Sequence, residues 1–337
     1  MSEANDPKTR NYERMSEQLR VKSIDFKSKT IRMAKLTGSL QESDLSSPLN
    51  CGGFGRVHHF RMGNDPKWIK DPLPMAPACK YFNAPASNVM LAQVFQLAAC
   101  DFRCWYCFVD YSMLSADSVR SGFVSPKNLL GMMTRENVNS SIIDLSGGQP
   151  DIVPEYALWF LEARSELGME KSHFVWVDDN LSTNFLWKHL SERQLSFLVN
   201  VPGFARVGCI KGFDAESFAF NTRADESLFD RQIDILNRLV KTGFDQYGYI
   251  TLTAMNISNA QEKISRLLDG IQNKIHPNLP LRIVPLRVFQ FGANAERYNK
   301  QAEENQFHVL DAWMLEMQKR FTSSQLSIPI TEVKIRS

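Results

Sequence analysis

Three cysteines fall within eight positions of the chain, Cys100, Cys104 and Cys107 in "LAACDFRCWYCFVD". Thiolates so closely spaced hold zinc, hold an iron–sulfur cluster, or pair as disulfides. Six cysteines in 337 residues are too few for a disulfide scaffold. A structural zinc usually takes four protein ligands, and Cys51, Cys79 and Cys209 are scattered singly rather than forming a second pair. A four-iron cluster held by three cysteines keeps one iron open to bind something else. Three unligated core cysteines are the remaining alternative, which Asp101 and Arg103 between them disfavour.

Two glycines stand in the second chemical stretch, "IIDLSGGQPDI", where Gly147 and Gly148 precede Pro150. Without a Cβ, such a pair lets backbone approach a ligand closely, although Gly-Gly after a strand is most often a plain turn. Further on, "HFVWV" runs into "DDNLST". An ionised Asp178 there only accepts hydrogen bonds and so suits a diol, with Asn180 beside it. The competing expectation is that Asp179, Asn180 and Ser182 cap the next helix. Lys211 follows the apolar run "RVGCI" and could equally be a strand-end lysine with a solvated head.

These groups need elements to position them. From Asn88 onward, short β-branched runs alternate with stretches of helical period, the pattern of βα units and a parallel sheet. The expected strands are "NVMLAQVFQL", "SIIDLS", "HFVWV", "ARVGCI", "YGYITLTAM" and "LRIVPLRVF". Helices are expected at about 125–138, 154–167, 184–198, 226–241 and 259–275, with a last one over "DAWMLEMQKRF". "PEYALWFLEARSELG" is the clearest, opening on Pro and closing on Gly. Six strands with five helices predict an α/β fold, either a doubly wound sheet or an incomplete barrel, and both place ligands at the C-terminal strand ends.

Composition narrows the partners. With 43% hydrophobic residues the chain can bury a large core, and a net charge of +2 gives no broad nucleic-acid or membrane footprint. Apolar stretches end short of a bilayer span and the N-terminus lacks a signal-peptide core, so a cytoplasmic location is expected. Residues 1–87 read as an extension: nine basic against five acidic residues up to Lys35, then a polar run, then a Gly- and Pro-rich loop. A solvated arm, partly disordered at its start, with a tail packed on the main domain is expected there.

The spacing Cys-x3-Cys-x2-Cys after a first β-strand, with Tyr106 before the last cysteine, resembles the signature of the radical S-adenosylmethionine (radical SAM) superfamily. The resemblance covers residues 88 to 290 and implies a partial (β/α)6 TIM-like barrel behind an N-terminal extension, with a C-terminal helical segment over 291–337. It implies that Cys100, Cys104 and Cys107 hold three irons of a [4Fe-4S] cluster and that S-adenosyl-L-methionine chelates the fourth. An electron from the cluster then breaks the sulfonium bond, and the resulting 5′-deoxyadenosyl radical abstracts hydrogen from a substrate. By the same resemblance Gly147 and Gly148 face the methionine amino group, and Asp178 and Asn180 are similar to a polar motif of glycyl-radical-activating enzymes. Lys211 resembles a lysine that some of those enzymes place near the cofactor. They carry an acid two residues earlier where this chain has Cys209.

The resemblance implies an oxygen-sensitive enzyme with a reducing partner such as flavodoxin or ferredoxin. A small polar metabolite or nucleoside-like substrate is expected. The alternatives are an activase acting on a partner protein and an iron–sulfur electron-transfer protein without SAM chemistry. No Cys-rich auxiliary-cluster segment or cobalamin-binding domain is visible. A nucleic-acid substrate is not expected from the charge balance. "CGGFGRVHHF" reads as a turn rather than a phosphate cradle, and His58 and His59 would point apart on a strand.

Overall fold

The computed structural model describes residues 7–63 and 65–335. The chain opens with α1 (Pro7–Ser23), followed by the short strands β1 (Ile24–Asp25) and β2 (Thr30–Ala34). Next come β3 (Gly55–Arg61), α2 (Met75–Tyr81), β4 (Val89–Phe95), β5 (Ser121–Val124) and α3 (Pro126–Arg135). Regular alternation then begins with β6 (Ile142–Leu145), α4 (Glu155–Glu166), β7 (Phe174–Asp179), α5 (Phe185–His189), α6 (Glu192–Asn200) and β8 (Phe204–Ile210). It continues through α7 (Ala215–Thr222), α8 (Leu228–Thr242), β9 (Gln246–Thr251), α9 (Ala260–Lys274) and β10 (Ile283–Leu286), and closes on α10 (Lys300–Arg320) and α11 (Ser323–Leu326).

Strand order decides between the two expected architectures. The large sheet runs β10-β9-β8-β7-β6-β4-β3, so its six parallel strands lie in space in their chain order. A doubly wound sheet needs a reversal of order. With none, right-handed crossovers place their helices on one face, and the sheet curls into a partial (β/α)6 barrel. Ile143, Val175, Val177 and Ile250 pack outward with Leu158, Leu236 and Leu268 of the helices. Phe174, Trp176, Tyr247 and Tyr249 point into the lumen, where Leu73 and Ala78 cover them.

Several boundaries differ from the sequence expectation, each for a local reason. β3 was not expected as a strand of the sheet, yet it pairs antiparallel with β4 along seven residues and carries His58 and His59. The 184–198 helix divides at Leu190–Ser191, where Ser191 and Gln194 form a capping box that starts α6. α7 was missed, and the last helix begins eleven residues earlier than Asp311, at Lys300. Pro285 is tolerated in β10 because that strand is the sheet edge.

The expectation of a solvated arm at the N-terminus is corrected from Ser16 onward, and residues 1–6 lie outside the described ones. α1 buries Ser16, Arg20 and Ser23, and Arg20 makes a two-pronged salt bridge of 2.7 and 2.6 Å with Glu155. β2, paired with β5 along one edge, bonds the chain just after β4 along the other, through Ala34 N–H to the Gln96 carbonyl (2.9 Å) and Ala98 N–H to the Arg32 carbonyl (3.0 Å). No helix among the described residues is long and apolar enough to cross a membrane.

Candidate functional site

The cysteine loop leaves the C-terminal end of β4, the end at which parallel α/β barrels keep their chemistry. Cys100 and Cys104 are buried, Cys107 is half-buried, and all six cysteines are free thiols. The loop is pinned on every side by side chains bonding to its backbone. Arg103 donates to the Cys100 carbonyl (2.6 Å), Arg297 to the Cys107 carbonyl (2.6 Å), Asn294 to the Tyr106 carbonyl (2.9 Å) and the Tyr111 hydroxyl to the Cys104 carbonyl (2.8 Å). Below, Trp105 Nε1 donates to Asn221 (3.0 Å), whose amide also holds the Lys211 and Thr253 carbonyls, each at 2.9 Å. The backbone is thus fixed without using the sulfurs.

Electrostatics around the sulfurs are divided. Burial, with Asp101 and the other two cysteines, pushes the Cys100 thiol well above its ordinary value. Burial pushes Cys104 up to about 11, and Lys211 works against it. Cys107 is raised by burial while Lys211, Arg297 and Arg103 pull the other way. Lys211 is itself buried, which favours the neutral amine. The Tyr106, Cys209, Cys104 and Cys107 groups around it outweigh that and hold its pKa well above the usual value. Its ammonium lies 5.9 Å from the Tyr106 ring. Tyr106 is anchored by its hydroxyl at 3.0 Å from Thr251 Oγ1.

The glycine motif sits against this loop. Gly147 and Gly148 both have positive φ, 86° and 74°, which only glycine adopts freely. A Cβ on Gly148 would lie 2.2 Å from the Leu97 carbonyl oxygen and 2.7 Å from that of Ala99. The glycine is therefore required for the approach of the cysteine-bearing segment itself. Gln149 completes the joint: its N–H donates to the Ala99 carbonyl (2.7 Å) and its side chain donates to Asp179 (2.7 Å) and Ser182 (3.0 Å). It also accepts from Asn180 N–H (2.8 Å).

That network separates the residues of "DDNLST". Asp179 packs outward against buried Arg206, 3.6 Å away. The expected helix cap is absent: α5 starts after Asn184, with no side-chain cap bond. Asn180 instead donates its amide to Cys100 Sγ at 3.4 Å. Asp178 lines the lumen with Asp144, a residue the sequence reading passed over because it lay inside an apolar strand. Asp101 turns away from the sulfurs to accept from Ser16 of α1 (3.0 Å).

Beneath the strand ends lies a cavity of about 530 Å³, lined by Arg56, Phe108, Asp144, Trp176, Asp178 and Tyr249 among others. Asp144 Oδ2 accepts from Ser146 (2.9 Å), while among the described residues neither its Oδ1 nor Asp178 Oδ1 has a partner. Burial raises the Asp144 carboxyl to about 6 against the pull of Arg56. Burial, then the Asp144 charge, raises Asp178 well above the carboxylate range. His58 and His59 are not gathered with other ligands, and among the described residues no group of three or more His, Cys, Asp or Glu could hold a single metal ion. Three cysteines that each bind a different iron of a cubane need not converge on one point, so the donor set fits a cluster better than a mononuclear ion.

No family model matches this chain, and no curated protein does. Among solved structures, Streptococcus suis SuiB bound to its precursor peptide SuiA is similar over 59% of this chain and 40% of its own, with 17% identity and a TM-score of 0.39. SuiB bound to S-adenosylmethionine gives 17% identity over 60% of this chain and 42% of its own, TM-score 0.38. Hexahistidine-tagged anSMEcpe with bound AdoMet gives 13% identity over 66% of this chain and 57% of its own, TM-score 0.41. The chain thus spans about two fifths of the length of SuiB. Its own strand order and cysteine loop carry the reading that follows.

Proposed function

We propose that the chain is a radical SAM enzyme acting on a small polar molecule, metabolite or nucleoside-like, held in the barrel lumen. The observation that carries this reading is the placement of three free thiols on a rigid loop at the C-terminal end of a parallel half-barrel, directly joined to a two-glycine turn and above a cavity into which Arg56, Asp144 and Asp178 project. Cys100, Cys104 and Cys107 would hold a [4Fe-4S] cluster, with S-adenosyl-L-methionine held by Tyr106, Gly147, Gly148, Asn180 and Lys211, and by Asp178 at the border with the lumen. Together these two groups supply a hydrogen-abstracting radical when bound.

The chain's own residues supply the rest. Burial of Cys100 and Cys104 in the cluster that Tyr12 of α1 and Phe218 of α7 join shields those two sulfurs from bulk water, and Lys211 offers a fixed positive charge beside them. Asn180 orients Cys100 by an N–H···S bond. Arg103, Arg223 and Arg297 gather around the Tyr111 ring at 5.8, 5.9 and 4.0 Å. That concentration of charge beside the cysteine loop supports docking of an acidic electron carrier such as flavodoxin or ferredoxin.

The test is anaerobic reconstitution with iron and sulfide. Brown protein that bleaches in air and forms 5′-deoxyadenosine from SAM and reductant is expected. Cys104→Ser should lose iron and Cys209→Ser should keep it, because Cys209 lies on β8 rather than on the loop. Colourless protein carrying stoichiometric zinc, or equal iron loss in both variants, overturns the assignment.

A further inference from the structure

Arg56 is a buried cation with nothing to hold it. It is 7% exposed, and among the described residues its guanidinium makes no hydrogen bond or ion pair, Nε being fully enclosed. The face of the Phe108 ring lies 5.4 Å from the Arg56 Cζ. Asp144, 3% exposed, is a buried carboxyl with one free oxygen lining the same cavity, and Asp178 presents another. A protein that had placed these charges to stabilise itself would have paired them, since an unpaired buried charge is strongly destabilising. Both signs lie unpaired and close enough to interact.

The ligand must therefore bring an acceptor for Arg56 and a donor for Asp144. One fixed guanidinium matches one carboxylate in fork geometry. A buried carboxyl oxygen without a partner matches an ammonium, which brings the donor and the opposite charge together, whereas a neutral polyol brings the donor alone. The rings of Trp176, Tyr249 and Phe108 line the rest of the cavity and offer an apolar wall for a side chain. We infer that the lumen binds a free α-amino acid, its carboxylate on Arg56 and its ammonium on Asp144. An internal peptide residue has neither charge, and a terminal residue has only one. That this amino acid is the substrate rests on the radical SAM reading; its binding does not.

The experiment is calorimetric titration of the reconstituted protein, without reductant and with SAM saturating so that its own amino-acid head is already placed. The probes are the proteinogenic amino acids, each with its N-acetyl and its amide derivative. At least one free amino acid should bind, and blocking either end should weaken it about tenfold or more, the scale of a lost buried charge pair. Arg56→Met and Asp144→Asn should each weaken the free amino acid to a similar degree and keep iron content and SAM affinity. Arg56→Lys, which keeps the charge and loses the fork, should fall between. Binding of a doubly blocked derivative as tight as that of the free form overturns the inference, as does the absence of binding by every probe. So does competition between the amino acid and SAM for one site. A melting temperature for ligand-free Arg56→Met well below that of the parent also overturns it, by showing that the guanidinium serves the fold. Failure of iron or SAM binding in the parent protein strikes the enzyme reading alone.

Discussion

Gly148 illustrates how a residue's type can be readable while its reason is not. The pair Gly147–Gly148 advertises a close backbone approach, but the partner in closest approach is the chain itself, the carbonyls of Leu97 and Ala99. Gly148→Ala should therefore displace the cysteine loop as well as weaken SAM binding. Iron per chain after reconstitution should fall clearly below the parent's; full iron content with weakened SAM affinity alone would show that the loop yields. Asp144 supports a prediction about pH. Its folded-state pKa of about 6, raised by burial against the pull of Arg56, lies above the unfolded value near 4. The native state then binds that proton more tightly than the unfolded state, so its contribution to stability is present at low pH and is lost as pH rises from about 4 to 6. Across that window the stability of the parent relative to Asp144→Asn should fall by about 3 kcal/mol, read from urea unfolding at each pH. A flat difference would mean that the carboxyl titrates normally. The three cysteines were legible because their spacing is chemical, whereas Arg56 was hidden in a Gly-rich stretch and Asp144 inside an apolar strand, where only the folded lumen brings them together.

At the scale of elements, the β-strands of the barrel were legible because parallel strands buried on both faces read as β-branched runs. α1 was not. Its sequence is polar, and its contribution lies in the buried side chains of Ser16, Leu19, Arg20 and Ser23 rather than in an apolar stripe. α4 was located correctly from its Pro and Gly ends, and Tyr156 to Leu161 are all buried, with α1 and the turn after β1 covering the side that a surface helix shows to water. The Phe26 ring meets Trp159 edge-on at 6.1 Å, and Arg20 closes on Glu155. Arg20→Ala leaves the Glu155 carboxylate buried without its partner and should cost about 3–5 kcal/mol of unfolding free energy. Arg20→Met with Glu155→Gln should recover much of that loss. If the single substitution costs under about 1 kcal/mol, α1 is a loosely attached arm after all.

For the whole molecule, a half-barrel differs from a closed one in that its lumen face and both sheet edges need cover. Here the cover comes largely from residues before Asn88. β3 pairs with β4 along its whole length, Leu73 and Ala78 seal the aromatic floor of the lumen, and the Trp68 indole donates to the Pro285 carbonyl (3.1 Å) on the opposite edge strand. Asp71 accepts from the Tyr249 hydroxyl at 2.9 Å, tying the same segment to the inner face of β9. A polar, Gly- and Pro-rich composition made this stretch look peripheral, because contacts of such long sequence separation leave no periodic trace. A chain cut to residues 88–337 would expose the β4 edge, the rings of Trp176, Tyr247 and Tyr249, and the face of α4 that α1 covers. Exposed edges and apolar floors of this kind drive association rather than stable monomers. The fragment is expected to aggregate or bind a hydrophobic dye strongly, and to lack the cooperative thermal transition of the full chain. Adding residues 24–87 back should restore the transition with a lower midpoint, since α1 and its salt bridge would still be missing. A cooperative, monomeric 88–337 fragment that reconstitutes iron would instead make the first 87 residues a separable extension.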